Sequence, residues 1–218
     1  MNRDQYIKRE LEKLDLQYVS IDAGFRRSLV DVFKHPALWG EYDTAIKNGL
    51  LECAASLKTF NLQLPAGLDW TMIKAMIWVE TGGPNSYNNA WFENPMQIGV
   101  LGKDGKPLDP GAQVVAEARE KVPFLLPKSQ YPDMTVKAIA TNRWVNIKAG
   151  IAYLLNRLAK AEVDNDKSNP VGRKIVGWKS ITPETLASYN GHGDARYADK
   201  IRYSLAIMRI AREAEFMR

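Results

Sequence analysis

Apolar positions recur at the helical period through most of the chain. Ile7, Leu11, Leu14 and Tyr18 fall on one stripe, and Phe25, Leu29, Val32 and Phe33 repeat it until His35-Pro36 interrupts. A third apolar helix is expected over Tyr42 to Phe60, so residues 1–64 read as a helical extension, with Asn61 to Gly67 as its boundary loop. From Asp69 the chain is apolar almost all round as far as Val79, and it then meets Glu80-Thr81-Gly82-Gly83-Pro84. Asp69 reads as the N-cap and Gly82-Gly83-Pro84 as the stop, which predicts a buried helix ending at a glutamate.

Beyond it the pattern turns polar and Gly-rich. Asn85 to Pro110 predicts loops with short β-type stretches at Met96 to Leu101 and a turn at Lys103-Asp104-Gly105. A short helix is expected over Ala112 to Val122. Ile147, Ile151, Leu154, Leu155 and Leu158 then predict a long amphipathic helix from Val145 to Val163, followed by a polar loop from Asp164 to Ser180. Thr182-Pro183-Glu184 carries the start signals of a helix running to Asn190, and the last helix opens near Asp194 with Tyr197, Ile201, Leu205 and Met208 on one stripe. The expected class is mainly α with a small β or loop insert. Residues 65–218 form the second unit, after the extension.

Composition narrows the chemistry. The 218 residues are 45% hydrophobic and 25% charged, the balance of a chain able to bury a core. Two histidines and one cysteine, Cys53, leave too few ligands for a His/Cys metal site and none for an internal disulfide, so no metal or cofactor is expected. Cys53 lies on an apolar helix face and reads as a buried, inert thiol. Asp164 to Ile175 begins like a calcium loop but has Asn169 where glycine is needed and Ile175 where glutamate is needed. No run approaches the roughly eighteen apolar residues of a membrane span. The first residues, charged from Arg3, have no apolar signal region, so synthesis in the cytoplasm and delivery by another route are expected. A net charge of +5 is spread along the chain without a basic block. That pattern argues against nucleic acid as the partner and suits any extended anionic polymer, cell-wall glycan included.

Glu80 is the candidate for chemistry. A carboxylate in the last turn of an apolar helix faces the negative end of the macrodipole, which disfavours its ionised form. Trp78, Trp91 and Phe92 are placed in sequence to desolvate it further. Both effects push the carboxyl toward the pKa of a general acid working near neutrality.

Its surroundings are more specific than that. Ile77-Trp78-Val79-Glu80-Thr81 resembles the helix-ending glutamate motif of the soluble lytic transglycosylase and goose-type lysozyme superfamily, and Asn94-Pro95-Met96-Gln97-Ile98-Gly99 resembles its Gly-Leu-Met-Gln motif. Asn146 to Leu154 is similar to its Asn-Ile-x-x-Gly-x-x-Tyr-Leu helix, Leu186 to Gly191 to its Ala-Tyr-Asn-Ala-Gly motif, and Tyr197 to Ile201 to its closing tyrosine motif. The five segments stand in the family's order between about residues 68 and 208, and the first 60 residues lie outside the resemblance. Thr81, Pro95, Ser188 and His192 depart from the family's usual residues.

The resemblance implies an α+β lysozyme-like fold and cleavage of the β-1,4 bond between N-acetylmuramoyl and N-acetylglucosaminyl units of peptidoglycan. Glu80 would be acid and then base, giving 1,6-anhydro ends. It further implies that Met96 and Gln97 line the sugar site, and that Tyr189, Asn190 and Tyr197 bracket the glutamate and the muramoyl group; Asn146 and Tyr153 read as scaffold. Hydrolysis, the goose-type alternative, needs a second carboxylate, for which Glu93, Asp104 and Asp109 are available. A phage or secretion-apparatus component that opens the wall locally is the other reading, with residues 1–64 as its docking or delivery element and an immunity or inhibitor protein as a possible partner.

Overall fold

The computed structural model describes residues 1–86, 89–106, 108, 111, 115–116, 131–164, 173–190 and 193–217. These are mainly helical, with a small two-stranded antiparallel sheet. In chain order the elements are α1 (Arg3–Gln17), α2 (Ala23–Val30), a 3-10 turn (Asp31–Phe33), α3 (Pro36–Trp39), α4 (Asp43–Lys58), α5 (Trp70–Thr81), α6 (Ala90–Glu93), α7 (Val136–Thr141) and α8 (Arg143–Leu158). Then follow β1 (Ala159–Val163), β2 (Arg173–Trp178), α9 (Pro183–Leu186) and α10 (Tyr197–Glu215).

The helix starts follow local capping chemistry. Asn2 and Gln5 form a reciprocal capping box on α1, Asp69 accepts the Thr71 and Met72 N–H groups at the head of α5, and Asn142 accepts those of Trp144 and Val145 at the head of α8. On α9 the box is closed by Thr185 with Thr182.

The core is one cluster. α8 lies at its centre, with Ile147, Ile151, Leu154, Leu155 and Leu158 fully buried, as their spacing predicts. α4 packs so closely on α8 that a Cβ on Gly49 would come within 2.8 Å of the Ile151 side chain. α5 packs against both α4 and α10. α1 lies along α10, where the Tyr6 hydroxyl donates to Glu213 and Tyr203 donates to Asp15 at 2.9 Å. Residues of the 1–64 segment, among them Leu14, Leu29, Ile46 and Leu57, therefore share the cluster that holds Ile73, Ile151 and Ile207.

Three expectations about elements need correction. The helix expected to reach Val163 ends at Leu158, and Ala159 to Val163 continues as β1, pairing with β2 inside the stretch expected to be a polar loop. β1 is exposed beyond Ala159, so what holds these residues extended is backbone pairing with β2, from Ala159 opposite Trp178 to Val163 opposite Arg173. At Met96 to Leu101 the β pairing is confined to a single bridge at Leu101: Gly102 N–H donates to the Lys106 carbonyl and Leu108 N–H to the Val100 carbonyl, each at 2.7 Å, around a left-handed Gly105, so the expected turn is present but no extended strand forms among the described residues. The helix from Thr182 stops at Leu186 and continues to Asn190 as successive turns. The helix expected over Ala112 to Val122 lies mostly outside the described residues.

Candidate active site

α5 ends where the sequence placed its stop. Gly82 adopts the left-handed conformation at φ 71° and donates its N–H to the Trp78 carbonyl at 2.9 Å. Gly83, at φ 90°, lies against the Trp39 indole with no room for a side chain. Thr81 turns its hydroxyl inward, donating to Ile77 carbonyl at 2.7 Å and accepting the Gly83 N–H at 3.0 Å. The last turn of α5 is thereby fixed, and Glu80 is fixed with it.

Residues two apart on a helix point to nearly opposite sides. Trp78 accordingly joins Trp39 and, through it, Trp91 and Tyr42 on the α3–α4 side, and Phe92 is exposed. These rings do not form the environment of Glu80 as the sequence suggested. Its face meets α10 and the turn before it instead.

There the Tyr197 hydroxyl donates to Glu80 Oε1 at 2.8 Å, and the Asn190 side chain also hydrogen-bonds the carboxyl. Burial raises the Glu80 pKa to about 7. The two hydrogen bonds and the Lys200 ammonium pull the other way, while the Asp194 carboxylate adds to the rise. Tyr197 is 1% exposed, and burial with the neighbouring Glu80 charge holds its hydroxyl well above the ordinary tyrosine value. It stays protonated at every working pH.

A second group of contacts ties the expected sugar-site loop to the core. Asn146, fully buried on α8, accepts the Met96 N–H at 2.8 Å and donates to the carbonyls of Ile98 and Ile139, each at 2.9 Å. The Tyr189 hydroxyl donates to the Met96 carbonyl at 2.7 Å. Met96 itself is completely buried over Gly150, where a Cβ would fall 2.5 Å from its own Cβ. Its side chain is a core wedge and presents no face to a sugar, which corrects its expected role. Gln97, half-buried at φ 52°, folds its amide nitrogen onto the Asn94 carbonyl, to which it donates at 2.5 Å. Tyr189 is buried, edge-on to Tyr153, and its hydroxyl anchors the loop.

All five sequence segments thus converge. Glu80, Asn190 and Tyr197 are joined directly, and Met96, Asn146 and Tyr189 form the adjoining support. Of the proposed second carboxylates, Glu93 and Asp104 are exposed and Asp109 lies outside the described residues, as does His192. The acid whose field reaches Glu80 is Asp194, which the sequence marked only as a helix opener. Burial opposes its charge, but the Lys200 ammonium at 2.7 Å and the Arg196 N–H overcome that and hold its carboxyl below the ordinary value. Asp194 precedes α10 and Lys200 lies inside it, so no helical periodicity pairs them in sequence.

Among the described residues no cluster of three or more His, Cys, Asp or Glu side chains could hold a metal, and no helix is long and apolar enough to cross a membrane. Cys53 is fully buried, and burial pushes its thiol up to about 12. Two cavities, one of about 230 Å³ against Tyr131, Trp144 and Lys148 and one of about 390 Å³ beside α1, are not lined by Glu80. No protein-family model, curated protein or solved structure matches the chain.

Proposed function

We propose that this protein cleaves the β-1,4 bond between N-acetylmuramoyl and N-acetylglucosaminyl units of peptidoglycan, with Glu80 as the general acid and base and without water as the nucleophile. The observation that carries the reading is the desolvated Glu80 carboxyl, with a pKa near 7, held between Tyr197 and Asn190. The family-like order of the five segments supports it, as does their convergence on one site.

The chemistry needs one carboxyl that works in both protonation states. Protonated Glu80 delivers its proton to the glycosidic oxygen as the C–O bond breaks, and positive charge develops at the muramoyl anomeric carbon. The carboxylate so formed then takes the proton of the muramoyl 6-hydroxyl, whose oxygen closes onto the anomeric carbon. Glu80 ends protonated, and the product carries a 1,6-anhydro ring. A pKa near the working pH suits both halves, because neither transfer is then strongly uphill.

Hydrolysis requires a second carboxylate free to activate water, at about 6.5–9.5 Å for inversion or about 5 Å for retention as nucleophile. Asp194 is committed to Lys200 and the Arg196 N–H, which favours the non-hydrolytic route over a goose-type muramidase. In this reading the protein acts on the wall, outside the cytoplasm.

Mass spectrometry of muropeptides released from purified peptidoglycan tests it. Anhydro-muramoyl ends from the wild type, and none from Glu80→Gln, are expected. Reducing muramoyl ends would mean hydrolysis, and release of neither product would remove the enzymatic reading.

A further inference from the structure

Both hydrogen-bond partners of Glu80 flank one short loop. Asn190 closes the turns after α9, Tyr197 opens α10, and Asp194 lies between them. Its Oδ1 accepts the Arg196 N–H at 2.8 Å, its Oδ2 receives the Lys200 ammonium at 2.7 Å, and its main-chain carbonyl accepts the Tyr197 N–H at 3.1 Å. Gly193 N–H returns to the Asn190 carbonyl at 3.3 Å.

Lys200 stands three residues beyond Tyr197, on the same side of α10. Its ammonium also lies 5.3 Å from the centre of the Phe25 ring on α2, within cation–π range. Capping the turn needs only Asp194 Oδ1. A cation on the other oxygen, seated on a ring from the N-terminal segment, goes beyond what a cap requires.

We propose that the Asp194–Lys200 ion pair is the positioning clamp of the site: it fixes the loop so that Asn190 and Tyr197 reach the Glu80 carboxyl together, and Phe25 of the N-terminal segment seats the clamp. The inference rests on Glu80 being the acid and base of the proposed reaction. Asp194 and Lys200 are positioning residues, acting through Asn190, Tyr197 and their own fields.

Positioning gives the clamp a signature that charge alone lacks. By field alone, losing Asp194 would lower the Glu80 titration and losing Lys200 would raise it, whereas losing the Tyr197 and Asn190 hydrogen bonds raises it in both cases. The groups facing Glu80 are Tyr197 and Lys200 from α10, and Asn190 and Asp194 from the loop; Tyr189 bears on Tyr197, and Asp22 at the head of α2 bears on Lys200. On α5, Lys74 is turned away to Asp43 of α4 at 2.7 Å.

The test pairs a carboxyl titration of ¹³C-labelled Glu80 with muropeptide-release kinetics, in wild type, Asp194→Asn, Lys200→Met, their double variant, Lys200→Arg and Phe25→Leu. Asn keeps an acceptor for the Arg196 N–H, and Leu keeps apolar volume under Lys200, so both guard against simple misfolding. Glu80 is expected to titrate higher than wild type in Lys200→Met and in Asp194→Asn alike, because losing the Tyr197 and Asn190 hydrogen bonds outweighs losing the Asp194 field. Both single variants should lose roughly tenfold in kcat with KM little changed, and the double should be no worse than the poorer single. Lys200→Arg should recover most of the loss, and Phe25→Leu should lose less than Lys200→Met in the same direction.

Unshifted titrations with wild-type kcat, a downward shift in Asp194→Asn, or strictly additive losses would overturn the clamp. Absence of muropeptides from the wild type together with upward titration shifts in both single variants would remove the peptidoglycan reading and leave the clamp standing. An active wild type with no shifts would do the reverse.

Discussion

The Tyr197 hydroxyl donates to Glu80 Oε1 at 2.8 Å, joining two residues 117 positions apart in the chain. Glu80 ends one helix and Tyr197 begins another, and the packing of α5 against α10 brings the two ends together. Burial keeps the tyrosine protonated, so whenever Glu80 is ionised the bond runs from Tyr197 to Glu80. It stabilises the carboxylate, and so it sets how far desolvation can raise the acid.

Tyr197→Phe keeps the buried ring and removes the donor. Glu80 should then titrate above 7, since a hydrogen bond that favoured its ionised form is gone. Muropeptide release should fall roughly tenfold to a hundredfold, with the alkaline limb of the pH–rate profile moved to higher pH. A profile unchanged in position would separate Tyr197 from the acid.

In the wild type, kcat/KM should decline tenfold per pH unit above about 7, where free Glu80 loses the proton it must donate. A profile flat to pH 9 would show that another group is the acid.

The same shift affects stability. A carboxyl whose pKa is 4.5 unfolded and about 7 folded binds more protons in the folded state. Its contribution is therefore fully present below pH 4.5 and lost as the pH rises through about 7. Glu80→Gln, which cannot ionise, should match the wild type near pH 4 and exceed it at pH 8 by on the order of 1–3 kcal/mol. Urea unfolding at the two pH values measures the difference.

Gly150→Ala tests the wedge beneath the loop. In an open helix this change stabilises by about 1 kcal/mol, but here the new Cβ meets Met96 Cβ at 2.5 Å in a fully buried site. Overpacking should win, with a net loss of about 1–3 kcal/mol and lower activity through displacement of Gln97. A raised melting temperature would show that the loop can yield.

Removal of residues 1–64 should unfold the remainder, because α1 lies on α10 and α4 on both α5 and α8 within one core. Circular dichroism of residues 65–218 alone should lack the helical signal of the intact chain. A folded, active fragment would instead make the N-terminal segment the separable docking element that the sequence suggested.

Several features were legible without coordinates because their physics is local. Asp69 and Gly82 bound α5 through capping and the left-handed turn, and the five apolar positions from Ile147 to Leu158 define the buried face of α8. Glu80 stood out for the same reason, as an acid at the end of an apolar helix. Strand pairing is not local, so β1 and β2 were hidden: the partner of Ala159 is Trp178, across a stretch whose composition looks like loop.

The sequence by itself determined the long helices α1, α2, α4, α5, α8 and α10, though not the short α3, α6 and α7, and it determined where α5 stops and that a single carboxyl is the candidate acid, since caps, stop signals and apolar spacing act within a few residues. Only the tertiary structure decided what surrounds that carboxyl. Helix packing brought Tyr197 and Asn190 to it, drew Met96 into the core, and set the Asp194–Lys200 pair over Phe25. A side chain's desolvation and field depend on elements distant in sequence, and those are set by how the helices pack.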